Sequence, residues 1–148
     1  VAAVATIGMV SCDTDACKDV DCGLNGTCVD GDCVCDVGYS GATCTTLVRA
    51  AFIGNYNTNE SCSVSGSDSY AVTIAAGSTD LTVSIGNLYN AGLFTTGTVN
   101  ADGGVTIAHT ALRNGTISGS LTKSGGVITI TYTVNVGGAS ETCTMTAQ

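Results

Sequence analysis

Six of the chain's nine cysteines fall within 28 residues, CKDVDCGLNGTCVDGDCVCDVGYSGATC at positions 17–44, and that density limits what the segment can be. Its sizeable apolar groups are Val20, Leu24, Val29, Val34, Val37 and Tyr39. These are too few to bury a self-sufficient core, so covalent cross-links must hold the segment. A metal cluster fits badly, because the chain has one histidine and no pair of C-x-x-C clusters at zinc-finger spacing. Thiols at this density persist as disulfides in an oxidising compartment, which places the protein in the extracellular space or on the outer cell surface. Six cysteines allow fifteen pairings, and spacing alone does not choose among them.

The segment closes with Cys33-Val-Cys35-Asp-Val-Gly38-Tyr39-SGAT-Cys44. This run resembles the closing signature C-x-C-x-x-G-Y-x4-C of the EGF-like module. The resemblance implies the pairs Cys17–Cys28, Cys22–Cys33 and Cys35–Cys44, and a role in spacing or protein contact rather than catalysis. Some EGF-like modules bind calcium through an acidic set ahead of the first cysteine, and DTDAC supplies Asp13 and Asp15. Calcium takes six to eight oxygens. The short VDGD loop does not complete such a set, so no cofactor is expected, and the aspartates from Asp13 to Asp36 read as a solvated acidic surface.

After Cys44 the texture changes to short alternating runs broken by turn residues every eight to twelve positions. That pattern predicts an all-β fold, an antiparallel eight-stranded β-barrel or β-sandwich. In VITITYTVNV, Ile128, Ile130, Tyr132, Val134 and Val136 share one face, and Thr129, Thr131, Thr133 and Asn135 share the other. The remaining runs are LVRAAFIGNYN, SYAVTIAA, DLTVSIGN, LFTTGTVN, GVTIAHT, GTISGSLT and SETCTMTA. Short turns between them make a meander the expected topology, and barrel closure would remove the sheet edges. Phe52-Ile-Gly54-Asn-Tyr56 resembles the opening of lipocalin-like barrels, and the layout is similar to exported bacterial surface lipoproteins. First-to-last closure would bring Cys62 and Cys143 together as a disulfide, constraining the unfolded chain by about 4 kcal/mol. Three divisions follow: an apolar and acidic leader at 1–16, the EGF-like module at 17–44 and the β domain at 45–148.

Only four Lys and Arg stand against a net charge of −8, which excludes a grip on nucleic acid or anionic lipid headgroups. His109 lies in phase with Val105 and Ile107, as an inward or rim group with a structural part to play. No grouping of nucleophile, base and carboxylate assembles around it, so an enzyme is not expected. Glu60 and Glu141 flank the two cysteines expected to pair, where mutual proximity would raise a carboxyl pKa. Thr129, Thr131 and Thr133 with Thr142, Thr144 and Thr146 form potential threonine rows on neighbouring strands. Asn25, Asn59 and Asn114 stand in N-glycosylation acceptor motifs, and a small barrel can also hold one ligand, glycan or otherwise.

The opening run VAAVATIGMVSC is apolar on both faces when written as a strand. Its bulky members are Val1, Val4, Ile7, Met9 and Val10, and the expectation is that they pair with a neighbouring copy, building a filament by strand donation. The partner is then a second copy of the chain, with a glycan or protein ligand also possible for an adhesive subunit. The ending M-V-S-C also resembles a bacterial lipobox, in which Cys12 is acylated and anchors a monomeric ligand-binding lipoprotein. Cys12 otherwise remains free or links subunits. Apart from such an anchor, no stretch approaches the roughly 20 apolar residues that a spanning helix needs.

Overall fold

In the β domain, β-branched residues alternate with Thr, Ser and Asn, and turns are glycine-rich, so each run buries one face and hydrates the other. A computed structural model describes residues 15–112 and 114–148. In the N-terminal module, β1 (Gly26–Val29) and β2 (Asp32–Cys35) form a hairpin, and β3 (Tyr39–Ser40) pairs with β4 (Thr46–Leu47). The β1–β2 turn is Asp30-Gly31, both at positive φ, the geometry that matches the right-handed twist of a two-residue hairpin. Disulfides join Cys17 to Cys28, Cys22 to Cys33 and Cys35 to Cys44.

Beyond a 3-10 turn at Val48–Ala51 come β5 (Gly54–Cys62), β6 (Gly66–Ala76), β7 (Thr82–Gly86), β8 (Phe94–Val99), β9 (Val105–Leu112), β10 (Gly115–Ser124), β11 (Val127–Val136) and β12 (Ala139–Ala147). These eight close into an antiparallel barrel in sequence order, with β12 pairing β5. The architecture is therefore a barrel and not a sandwich. Cys143 lies opposite Cys62 in the closing ladder, and the two are bonded. Inside, Val72, Ile74, Val83, Ile85, Ile107, Ile117, Leu121, Ile128, Ile130 and Met145 are buried, with Phe52 closing the base and Tyr132 lying toward the opposite end.

Two local features depart from the sequence pattern. The first barrel strand is not LVRAAFIGNYN: Val48–Ala51 coils into the 3-10 turn and the strand runs from Gly54 to Cys62. Arg49 explains the turn, because its guanidinium donates to the carbonyls of Gly77, Thr79 and Thr82 and pairs with Asp80 at 3.1 Å. The second departure is His109, which is exposed. Ile107 pairs with Gly119 and Thr110 with Ile117, so Ala108 and His109 together face Ser118. This β-bulge shifts the phase of β9 by one residue, turning His109 outward and bringing Thr110 and Leu112 toward the interior side.

The module sits on the base of the barrel through its own signature residues. Tyr39 donates its hydroxyl to Asp80 Oδ2 at 3.0 Å, and the Val48 amide donates to Gly38 at 2.9 Å. Gly38 is required there: its φ is +91° and a Cβ would lie 2.2 Å from Leu81 Cδ2. Both the turn after β6 and the segment joining module to barrel are thus tied to one arginine.

Candidate functional site

The end of the barrel away from the module is ringed by the β5–β6 turn, the β7–β8 loop, the β9–β10 turn and the β11–β12 turn. The strand that feeds it, β5, turns Tyr56, Thr58, Glu60 and Cys62 inward, a polar set by the standards of a barrel interior. Glu60 is only 6% exposed. Its Oε1 accepts the hydroxyl of Tyr70 at 2.7 Å and that of Tyr132, and the two hydroxyls lie 3.3 Å apart. Burial pushes the Glu60 carboxyl above the ordinary carboxylate range; Tyr70's hydrogen bond opposes this, while Asp68 and Glu141 add to it. Burial and the Glu60 contact also push the Tyr70 hydroxyl up, so Tyr70 donates and stays neutral.

Glu141 occupies the same mouth in a different setting. Its Oε1 accepts the Tyr89 hydroxyl, and its Oε2 accepts the Ser65 amide at 2.9 Å, the Ser65 hydroxyl at 3.0 Å and the Val64 amide at 3.2 Å. The Tyr89 bond first, then the Ser65 amide, holds this carboxyl below its usual value. Tyr89 itself has φ +56°, between Asn87 at +70° and Asn90 at +48°. A bulky aromatic in the left-handed region is costly and persists where surroundings over-determine it. Here Asn87 does so by donating to Ala71 and accepting from the Gly92 amide, each at 2.9 Å. The result is a polar cleft of about 270 Å³, lined by Glu60, Ser65, Asp68, Tyr89 and Asn90 among others.

Charge linkage gives a measurable consequence. The unfolded chain releases the Glu60 proton at the ordinary pKa, whereas the native state holds it to higher pH. Stability therefore falls as pH rises from the ordinary value through the elevated one. Glu60→Gln keeps an acceptor for both tyrosines and removes the charge, so the variant is expected to match the wild type at pH 4 and exceed it at pH 7. Urea midpoints at the two pH values test this; a difference that does not change with pH would refute the buried-charge argument.

A second surface lies beside the mouth. β8 and β9 pair only over Gly97–Val99 and Val105–Ile107, so the seam between Phe94–Thr96 and Ala108–Leu112 is open. Phe94 is 71% exposed and Leu93 42%. A groove of about 470 Å³ beside them is lined by Tyr89, Leu93, Leu112 and Val136. The bulge at His109 accounts for the opening, since it bends β9 away from its neighbour.

Glu60 and Glu141 thus reach the same end of the barrel but sit in separate networks. Tyr70, Tyr89 and Tyr132 were not marked by any motif, though the parity of β6 and β11 turns Tyr70 and Tyr132 inward. Val1, Val4, Ile7, Met9, Val10, Cys12 and Asp13 lie outside the described residues. Asp15 accepts the Cys17 amide at 3.1 Å, a local turn. Among the described residues, the one cluster with metal-ligand types is Glu60, Cys62 and Cys143, whose sulfurs are engaged in the disulfide and offer no thiolate. Thr129, Thr131 and Thr133 lie directly opposite Thr146, Thr144 and Thr142, on a wall that twists with the barrel. Asn59 and Asn114 are exposed, and Asn25 is half-buried.

A search among proteins of curated function finds no match to the chain. Residues 17–46 match the family model of the Teneurin-like EGF domain, a match confined to the module on the barrel's base. The cysteine-stapled segment is accordingly an EGF-like domain, of a kind typical of extracellular and secreted proteins.

Proposed function

We propose that the protein is a non-enzymatic, extracellular structural or adhesive subunit that assembles head to tail, residues 1–11 of one copy pairing with the barrel of the next. The observation that carries this reading is the open seam between β8 and β9. A closed barrel offers no edge to an incoming strand, but here the facing edges of Phe94–Thr96 and Ala108–Leu112 do not pair with each other, beside exposed Leu93 and Phe94. An apolar strand added there gains main-chain hydrogen bonds and fills the groove with alternate side chains. The module occupies the base and the seam lies at the far end. A contact of that kind is heterologous and propagates into a fibre.

Two variants test the reading. Deleting residues 1–11 and, separately, Phe94→Asp are each expected to leave a folded monomer by sedimentation and to abolish fibres in negative stain. Fibres from the deletion variant equal to those of the intact chain would overturn strand donation.

A second reading is favoured by the Glu60 cleft: a surface lipoprotein acylated at Cys12, whose barrel mouth takes a small ligand or glycan. Intact-mass analysis of native material separates the two, because acylation at Cys12 follows cleavage of the residues ahead of it and so removes the strand donor.

A further inference from the structure

We propose that the far mouth of the barrel binds a small organic cation, an ammonium- or guanidinium-bearing molecule, anchored on the second oxygen of Glu60. The proposal rests on the ligand-binding reading and names the class of ligand. Both tyrosine hydroxyls converge on Glu60 Oε1, and Oε2 accepts no hydrogen bond among the described residues. No fully buried side-chain polar atom among those residues lacks a partner. Oε2 therefore reaches solvent, and it does so through the cleft that Glu60 lines. A carboxylate nine-tenths buried with one oxygen open to a cleft is an acceptor held ready for a donor from outside.

The charge of that donor follows from the lining. Glu60 and Asp68 contribute carboxylates, Glu141 stands close enough to raise the Glu60 pKa, and among the described residues no basic side chain lines the cleft. An anion meets repulsion there, and a neutral ligand leaves the desolvated charge uncompensated; a cation offsets it. The Tyr89 ring lines the same space and supplies a cation–π surface. A divalent metal is less well served. Glu141 spends both oxygens on four protein donors, Glu60 Oε1 is taken by two, and what remains falls short of the six to eight oxygens calcium requires. The volume of about 270 Å³ suits a diamine or a guanidine rather than a drug-sized molecule.

Among the described residues, the titratable groups facing Glu60 are Asp68 and Tyr70 from β6, Tyr132 from β11, Glu141 from β12 and Tyr89 from the β7–β8 loop. With Tyr70 held neutral, the anchoring charge is that of Glu60, so affinity falls as pH drops through its elevated pKa.

The experiment is calorimetric titration of the full chain at pH 7 and low salt with putrescine, arginine methyl ester, calcium chloride and maltose, repeated at pH 4. The expected result is one site for the amines, at least tenfold weaker at pH 4 and in Glu60→Gln, and several-fold weaker in Asp68→Asn, whose side chain is outside the core. Both variants are checked for an intact fold by circular dichroism. Maltose binding without amine binding overturns the cation and leaves the ligand reading standing. Calcium binding that excludes the amines and is lost in Glu60→Gln overturns the organic cation in favour of a metal. Silence from every probe overturns the proposal and the ligand reading together.

Discussion

A chain carrying alanine at both Cys62 and Cys143 is expected to lose about 4 kcal/mol of stability, with a melting temperature lower by on the order of 20 °C. The bond spans 81 positions and joins the first barrel strand to the last. Its removal frees a long loop in the unfolded chain, where the entropy gained is largest. The native state is touched little, because Cys62 and Cys143 already face each other in the β5–β12 ladder and alanine leaves that backbone pairing in place. Denaturant unfolding of the double variant, read by tyrosine fluorescence, measures the effect. An unchanged midpoint would show that hydrogen-bonded closure alone carries the barrel.

Gly119→Val should damage the barrel by about 3 kcal/mol, at the upper end of overpacking changes. Gly119 lies opposite Tyr132, and a Cβ there would stand 2.3 Å from the Thr131 carbonyl oxygen and 2.5 Å from Tyr132 Cβ. Neither neighbour is the flexible end of a side chain, so β10 and β11 must move apart. The displaced residue is the one whose hydroxyl holds Glu60, so the variant couples a packing fault to the site. Thermal melts give the stability loss, and amine titration of the surviving folded fraction reads the mouth. A variant as stable as the wild type would mean that the two strands separate without strain.

Most of the barrel strands were legible because buried apolar side chains alternate with more exposed hydroxyls, as Ile128, Ile130 and Val134 do with Thr129, Thr131 and Thr133. The first was not. β5 reads GNYNTNESC, and its inward positions are Tyr56, Thr58, Glu60 and Cys62, so the period-two signal of hydrophobicity is absent. That absence has a cause: this strand builds the mouth, where the interior is polar. A local rule failed where the candidate site lies, as it does when a binding requirement overrides packing. The bulge at Ala108 and His109 was equally hidden, since one extra residue leaves no mark on composition and still reverses which side chains face in. That Glu60 and Glu141 lie toward one end of the barrel was readable from the cysteines beside them, although the ladder sets Glu60 opposite Met145 and not beside Glu141. Their opposite pKa displacements were not, because Glu60 rises through burial inside the closed barrel while Glu141 is lowered by Tyr89 and Ser65 arriving from separate loops.

The bond between the outermost strands makes the barrel a covalent ring, broken by neither end of the chain. A protease that nicks any hairpin tip between positions 63 and 142 cuts the ring once and releases nothing, because each half still hangs from the sulfur link and from its neighbours in the sheet. Outside the cell, where hydrolytic enzymes are abundant and no chaperone repairs damage, such a molecule survives a single cut with its shape intact.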